Sequence, residues 1–139
     1  MTTLSDYDQQ VKQINAQNQP IFVGFENWLD ESGLTRKTIE NHIVNMSFFS
    51  EYLVYYDPLI PLNESDAGDV LSFLIDWFPR KAMWSSPSAS KSYMTTFRKF
   101  YKFMVETGLM DKDVEDGVRE ALKEEKDEIL DAVRFDDDW

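Results

Sequence analysis

The residues that could bind a charged ligand form two helical stripes of opposite sign. The first stripe lies between Ser86 and Gly108, with members at i, i+4, i+7 and i+11 that share a narrow arc of a helix. The members of this basic stripe are Lys91, Thr95, Arg98 and Lys102, with Lys99 at the margin. The second stripe is acidic and faces away from the apolar residues of a later helical pattern. The members of this acidic face are Glu120, Glu124, Asp127, Glu128 and Asp131.

Neither stripe is an arrangement for catalysis, and no other catalytic pattern occurs in the sequence. His42 is the single histidine and has no acid at i+4, so we expect it at a surface or boundary position rather than in a metal or general-base site. The sequence has no GxxxxGK, no GxGxxG and no GxSxG. The run Asp136 to Asp138 is typical of a solvated acidic tail. The sequence predicts no enzyme, no metal site and no cofactor.

The formal net charge of −12 is unevenly distributed along the 139 residues. Residues 1–30 carry −3, residues 31–110 carry −1 and residues 111–139 carry −8. This division indicates a nearly neutral body followed by an acidic segment. The sequence contains no cysteine, no apolar run of membrane-spanning length and no N-terminal export signal, so we expect a cytoplasmic protein.

A long central helix must position the basic stripe. Ser86 is a suitable cap, Pro87 suits the first helical position, and Gly108 suits the left-handed residue that ends a helix. Between these limits, apolar residues recur at the spacing of a single buried face. They are Met94, Phe97, Phe100, Tyr101 and Met104.

The remaining pattern predicts an all-α protein, a small helical bundle of four principal helices. Residues 1–19 form a possible N-terminal helix or disordered arm, residues 20–110 form the main domain, and residues 111–139 form an acidic C-terminal helix and tail. Trp84, just before the central helix, is expected to fold back onto the bundle. The four principal helices run from Pro20 to Gly33, from Thr35 to about Tyr56, from Asn63 to near Pro79 and from Ser86 to Gly108.

Residues 20–110 resemble the core-binding domain of tyrosine recombinases and phage integrases. In that family a WL-like pair ends the first helix, a Leu-Ser/Thr…Thr-Ile pattern starts the second, and the last helix carries a Leu/Phe-Arg-x-Phe-Tyr-x-Phe pattern before a Gly. The matching residues here are Trp28-Leu29, Leu34-Thr35, Thr38-Ile39 and the run FRKFYKF from Phe97 to Phe103. They are mostly packing and capping residues.

The resemblance implies a small helical bundle that clamps one side of duplex DNA, with basic residues at helix starts and on the last helix. Phosphate suits such positions, because a helix N-terminus presents free N–H groups and lysine or arginine releases condensed counterions. The candidates that the resemblance gives for phosphate contact are Arg36, Lys37, Lys91, Arg98, Lys99 and Lys102.

Two departures from the family pattern modify this expectation. The family cleaves and rejoins DNA with a second domain that carries an Arg, a His-x-x-Arg motif and a nucleophilic Tyr, whereas this sequence ends before such a domain. Where the family has a linker, this sequence has the acidic helix. We therefore expect a non-catalytic domain that binds duplex DNA weakly, or only with a partner such as a catalytic recombinase.

Two alternatives remain open. One is a protein-interaction module that does not bind DNA and uses the acidic C-terminal helix to mimic DNA or to contact a basic protein. The other is an all-α dimer in which the last helices exchange.

Overall fold

A computed structural model describes residues 5–134 of the chain. All regular structure in this range is helical, and none of these residues lies in a β-strand, so the fold class is all-α. The chain divides between Ser65 and Asp66 into two compact units. The predicted limits 1–19, 20–110 and 111–139 stay a prediction. Within the described range, no helix combines the length and the apolar composition that crossing a bilayer would require.

The first unit begins with one long helix, α1 (Asp6–Glu31), which starts at a cap formed by Ser5. The prediction that a new helix opens at Pro20 is wrong, because α1 continues through this exposed proline. A proline inside a helix removes one hydrogen bond and costs about 3 kcal/mol. Buried residues at helical spacing on both sides of Pro20 account for the continuity, since they form one stripe. They are Ile14, Asn18, Ile21, Phe25 and Leu29. Leu4, part of the predicted N-terminal pattern, lies outside the described residues.

The second helix, α2 (Arg36–Leu53), starts where the sequence predicts. The Thr35 side chain accepts a hydrogen bond from the Thr38 N–H at 3.3 Å, which confirms the cap. The expectation for His42 is wrong, because this side chain is buried. It lies three residues after Ile39 and four before Met46, and this spacing places it on the buried stripe.

The second unit begins with α3 (Ala67–Ser72), a π turn (Phe73–Trp77) and α4 (Phe78–Lys81) in succession. The predicted cap at Asn63 is wrong, because that residue lies in a 3₁₀ turn of the first unit. Asp66 is the cap, and it exchanges hydrogen bonds with Asp69 in a capping box. The helical run ends at Lys81, two residues after Pro79 and therefore close to the predicted end. The π turn before Pro79 has hydrogen bonds that span five residues and not four, and this wider spacing accommodates a residue that lacks an N–H.

The central helix α5 (Pro87–Glu106) has the predicted start and stop. The Ser86 side chain accepts a hydrogen bond from the Ala89 N–H at 3.0 Å. Gly108 adopts a φ of +75°, and the Leu109 N–H donates to the Met104 carbonyl at 2.8 Å, which is the Schellman termination. The predicted apolar face is confirmed, since all five of its members are buried.

The acidic C-terminal segment forms two helices, α6 (Lys112–Glu124) and α7 (Lys126–Ala132), where the sequence predicts one. Glu125 interrupts them. Both helices pack on α5, and their stripe of Val118, Leu122, Ile129 and Val133 is buried while Val114 is half-buried. The segment therefore completes the hydrophobic core of the second unit. The tail residues Asp136 to Asp138 lie outside the described residues.

Candidate nucleic-acid interface

The basic stripe lies on the one side of α5 that solvent reaches. At about 100° per residue, the four predicted members fall within an arc of about 60°. Lys91, Thr95 and Lys102 are exposed, while Arg98 and Lys99 are half-buried. With a rise of about 1.5 Å per residue, Lys91 and Lys102 stand about 16 Å apart along the helix axis. These residues therefore form a straight cationic strip along three turns of α5, and its cations are Lys91, Arg98, Lys99 and Lys102.

The cations of this strip have no acidic partner within the described part of the chain. No carboxylate between residues 5 and 134 lies within ion-pair distance of Lys91, Arg98, Lys99 or Lys102. Cations elsewhere in the same range do find such partners, as Lys112, Arg119 and Arg134 show. The strip therefore keeps its positive charge available to a ligand.

The other two predicted phosphate contacts, Arg36 and Lys37, lie at the start of α2, in the first unit. The Arg36 guanidinium forms ion pairs with Glu26 and Glu40. The hydrogen bond and the charge of Glu26 raise the pKa of Arg36 above its ordinary value. Lys37 is exposed. A phosphate would have to compete with two carboxylates for Arg36, so this residue is the weaker of the two candidates.

Two further cations, Arg80 and Lys81, precede the strip in the chain and were missed by the sequence reasoning. They end α4, seven and six residues before Pro87. The signal that could have found them is the absence of acids: the 29 residues from Trp77 to Val105 contain six cations and no Asp or Glu. In a chain of net charge −12, this run is the only part of the molecule with a marked positive excess.

The connection between α4 and α5 carries exposed apolar side chains. Met83 is completely exposed and Trp84 is 57% exposed. The expectation that Trp84 folds back holds in part, since its ring forms an edge-to-face pair with the Phe78 ring at a centroid distance of 6.4 Å. More than half of the side chain nevertheless remains in solvent.

The predicted acidic face is exposed along α6 and α7. Glu120, Glu124, Asp127 and Glu128 have no cation within ion-pair distance among the residues that the structure describes, whereas Asp131 pairs with Arg134 at 2.8 Å. A hydrogen bond with Glu128 raises the pKa of Glu125, which lies between the two helices. This surface has the opposite sign to the strip on α5.

One buried acid, Glu115, was not among the candidates from the sequence and lies in the first turn of α6. Its carboxylate accepts hydrogen bonds from Lys112 Nζ at 3.0 Å and from Arg119 Nε at 2.9 Å. Burial raises the pKa of Glu115, but these hydrogen bonds and charges lower it by more, so the pKa lies below its ordinary value. Its spacing of three residues from Val118 was the available signal, because it places Glu115 on the buried side of α6.

Residues 5–134 hold no cluster of three or more His, Asp or Glu side chains that could hold a metal ion. Comparison of the chain with protein-family models, with curated proteins and with solved structures finds no match. The resemblance to the recombinase core-binding domain therefore stays a prediction that rests on the quoted sequence patterns.

Proposed function

We propose that this protein binds duplex DNA through the cationic strip of α5, as a non-catalytic domain of the tyrosine-recombinase core-binding type. The observation that carries the proposal is the strip itself: four cations on one side of α5, two exposed and two half-buried, with no acidic partner among the described residues. The proposal includes the fold: the helices form the small bundle of that family, and residues 20–110 correspond to the family's core-binding domain. The caps at Thr35 and Ser86 and the stop at Gly108 support the correspondence.

The chemistry of the strip fits phosphate better than it fits bases. Lysine and arginine that neutralise phosphates release condensed counterions, which favours binding at low salt irrespective of sequence. The strip is straight and rigid, and Thr95 adds a hydroxyl between Lys91 and Arg98. Contacts of this type fix the position of a protein on the duplex but read no sequence. We therefore propose weak, sequence-tolerant binding, strengthened by a partner such as a catalytic recombinase.

A titration at low salt tests the proposal. Full-length protein is added to a short fluorescein-labelled duplex, and anisotropy is followed at about 50 mM salt. We expect saturable binding that the double variant Lys91→Ala/Lys102→Ala weakens by at least about tenfold. The matched control is Lys123→Ala, an exposed lysine of α6 that lies off the strip. Absence of binding, or equal losses in the double variant and the control, would refute the proposal.

The acidic face supports a second candidate function, contact with a basic protein. The supporting observation is that four of its five carboxylates are exposed and have no cationic partner among residues 5–134. The test is a variant that removes charge while keeping the buried stripe of α6 and α7. It combines Glu120→Gln, Glu124→Gln, Asp127→Asn and Glu128→Gln.

Two readouts of this neutralised variant separate the possible roles of the acidic face. If the face competes with phosphate for the strip, neutralisation should raise DNA affinity, most at low salt. If the face binds a basic partner, neutralisation should abolish binding of a lysine-rich peptide and leave DNA affinity unchanged. If both affinities stay unchanged, the acidic face has neither role. The variant is preferable to truncation after residue 110, because α6 and α7 supply fully buried residues to the core.

A further inference from the structure

The connection between α4 and α5 holds a methionine at the tip of a fixed turn. The Ser85 N–H donates to the Ala82 carbonyl at 3.1 Å, which closes a four-residue turn with Met83 and Trp84 at its two central positions. Both ends of the turn are anchored. Ala82 is buried and its N–H donates to the Phe78 carbonyl at 3.0 Å, and Ser86 caps α5. The exposed methionine is therefore presented in a defined place.

The sequence on both sides of this turn is cationic. Arg80 and Lys81 precede it and Lys91 follows it, in the run from Trp77 to Val105 that contains no acid. Proteins that bend or open DNA insert apolar side chains, methionine among them, between base steps while cations hold the flanking phosphates. A thioether side chain is flexible and polarizable, which suits contact with the face of a base. The turn has both parts of that arrangement.

The same exposed residues would also suit an anionic membrane, but α5 argues against it. A helix that lies on a bilayer buries an apolar face among the lipids. The apolar face of α5 is instead buried in the protein core, and the side that solvent reaches carries Lys91, Ser92, Thr95 and Lys102. A straight strip of cations and hydroxyls suits a row of phosphates, and one apolar tip beside it suits a gap between bases.

We infer that Met83, supported by Trp84, is an apolar wedge that makes duplex DNA with an unstacked step the preferred ligand of this interface. The inference rests on the proposed function, since the strip must hold the backbone before the wedge can reach a base. Opening a normal step costs a few kcal/mol, and a bulge or a mismatch has already lost much of its stacking. A bulged duplex should therefore bind more tightly than a matched one.

The test compares two fluorescein-labelled duplexes of identical sequence, one of which contains a two-nucleotide bulge. Full-length protein is titrated against each by anisotropy. We expect the wild type to prefer the bulged duplex by about tenfold, which is the low end of what burial of one methionine side chain provides. Met83→Ser should remove the preference by weakening only the bulged complex, and Met83→Leu should retain it. The matched control is Leu109→Ser, since Leu109 is half exposed in the turn after α5. It should retain the preference as well.

The outcomes distinguish this inference from the proposed function. If both duplexes bind equally and Lys91→Ala/Lys102→Ala weakens both, the strip binds DNA and the wedge is refuted. If neither duplex binds, the proposed function fails and the inference fails with it. Loss of affinity for both duplexes in Met83→Ser would also refute the wedge, because it indicates a general contact. Vesicles that contain phosphatidylserine provide the final comparison: binding that Met83→Ser abolishes, without a bulge preference, would assign the turn to membranes.

Discussion

The salt dependence of DNA binding offers the sharpest test of the strip on α5, and Lys102→Ala is the most informative single change. Each phosphate that a cation neutralises contributes about −0.9 to the slope of log affinity against log salt. Contacts from all four cations would give a slope of about −3.6, and loss of Lys102 would reduce it to about −2.7. Between about 50 and 200 mM salt, four isolated contacts correspond to a fall in affinity of about 150-fold and three to about 40-fold, and these are the upper limits for the wild type and the variant.

Lys102 is the best choice because it is exposed and has no acidic partner in the described part of the chain. Its removal should therefore leave the free energy of unfolding within about 0.5 kcal/mol of the wild-type value. Arg98 is half-buried, so Arg98→Ala also removes packing by its aliphatic stem. Anisotropy titrations at several salt concentrations, with two duplexes of unrelated sequence, give the slopes. Both duplexes should report the same change, since phosphate contacts carry no sequence information.

Lys123→Ala is the matched control for this experiment. Lys123 is also an exposed lysine of the second unit with no acidic partner among residues 5–134, but it lies on α6 beside the acidic face. We expect its removal to leave the slope unchanged. An unchanged slope in Lys102→Ala would refute a phosphate contact at that residue. An equal reduction in both variants would indicate that the slope follows net charge and not the strip.

Three other predictions concern the core, the buried acid and catalysis. Phe97→Ala should cost about 3–5 kcal/mol in urea unfolding, because the ring is fully buried against Phe73 and Tyr93; a loss below about 1 kcal/mol would contradict this. The pKa of Glu115 is lowered in the folded state, so the stability that its carboxylate contributes is complete above its ordinary pKa of 4.5 and is lost as pH falls through the lower folded-state pKa. Glu115→Gln should therefore lower the free energy of unfolding by about 1–2 kcal/mol at neutral pH. The same variant should make the free energy of unfolding less dependent on pH in the acidic range. Incubation with supercoiled DNA should give no nicks and no covalent adduct; either product would contradict a non-catalytic role.

The parts of the fold that the sequence predicted correctly are those with local chemical signals. The start of α2 at Thr35 and the limits of α5 at Ser86 and Gly108 each depend on a side chain or a φ angle that satisfies a few neighbouring backbone groups. The buried face of α5 followed from periodicity, because five large apolar residues repeat at helical spacing. Such signals operate within one or two turns and need no knowledge of the partner helices.

The wrong helix starts, at Pro20 and at Asn63, each followed from a single local residue type. Pro20 was expected to open a helix and lies inside α1, whereas Pro79 was expected near a helix end and lies two residues before the end of α4. At Pro20 the buried stripe on both sides outweighs the lost hydrogen bond, and before Pro79 a π turn absorbs the misfit. Asn63 lost its predicted role to Asp66, which forms a reciprocal pair with Asp69. These outcomes depend on tertiary packing and on competing caps, which a single pattern does not reveal.

For the candidate site, the sequence predicted the positions of the cations on the helix but not their ion pairs or their exposure. Helical spacing was enough to place Lys91, Arg98 and Lys102 on one side of α5. It could not show that Arg36 is engaged by two carboxylates, because Glu26 lies on a different helix. Met83 gave no signal either, since exposure of a single loop residue depends on how the turn is anchored. Ion pairing and exposure are properties of the folded chain.

A net charge of −12 is compatible with DNA binding because salt screens the interaction between charges that lie far apart. At physiological ionic strength the Debye length is about 8 Å, so a phosphate in contact with α5 interacts mainly with the cations of the acid-free run. At lower salt the screening weakens, and the acids of α6 and α7 repel the duplex more strongly. That repulsion opposes the counterion term, so the wild-type slope should be shallower than the about −3.6 of four isolated contacts. By the same reasoning, if the acidic face competes with phosphate for the strip, neutralising that face should steepen the slope without adding a single contact.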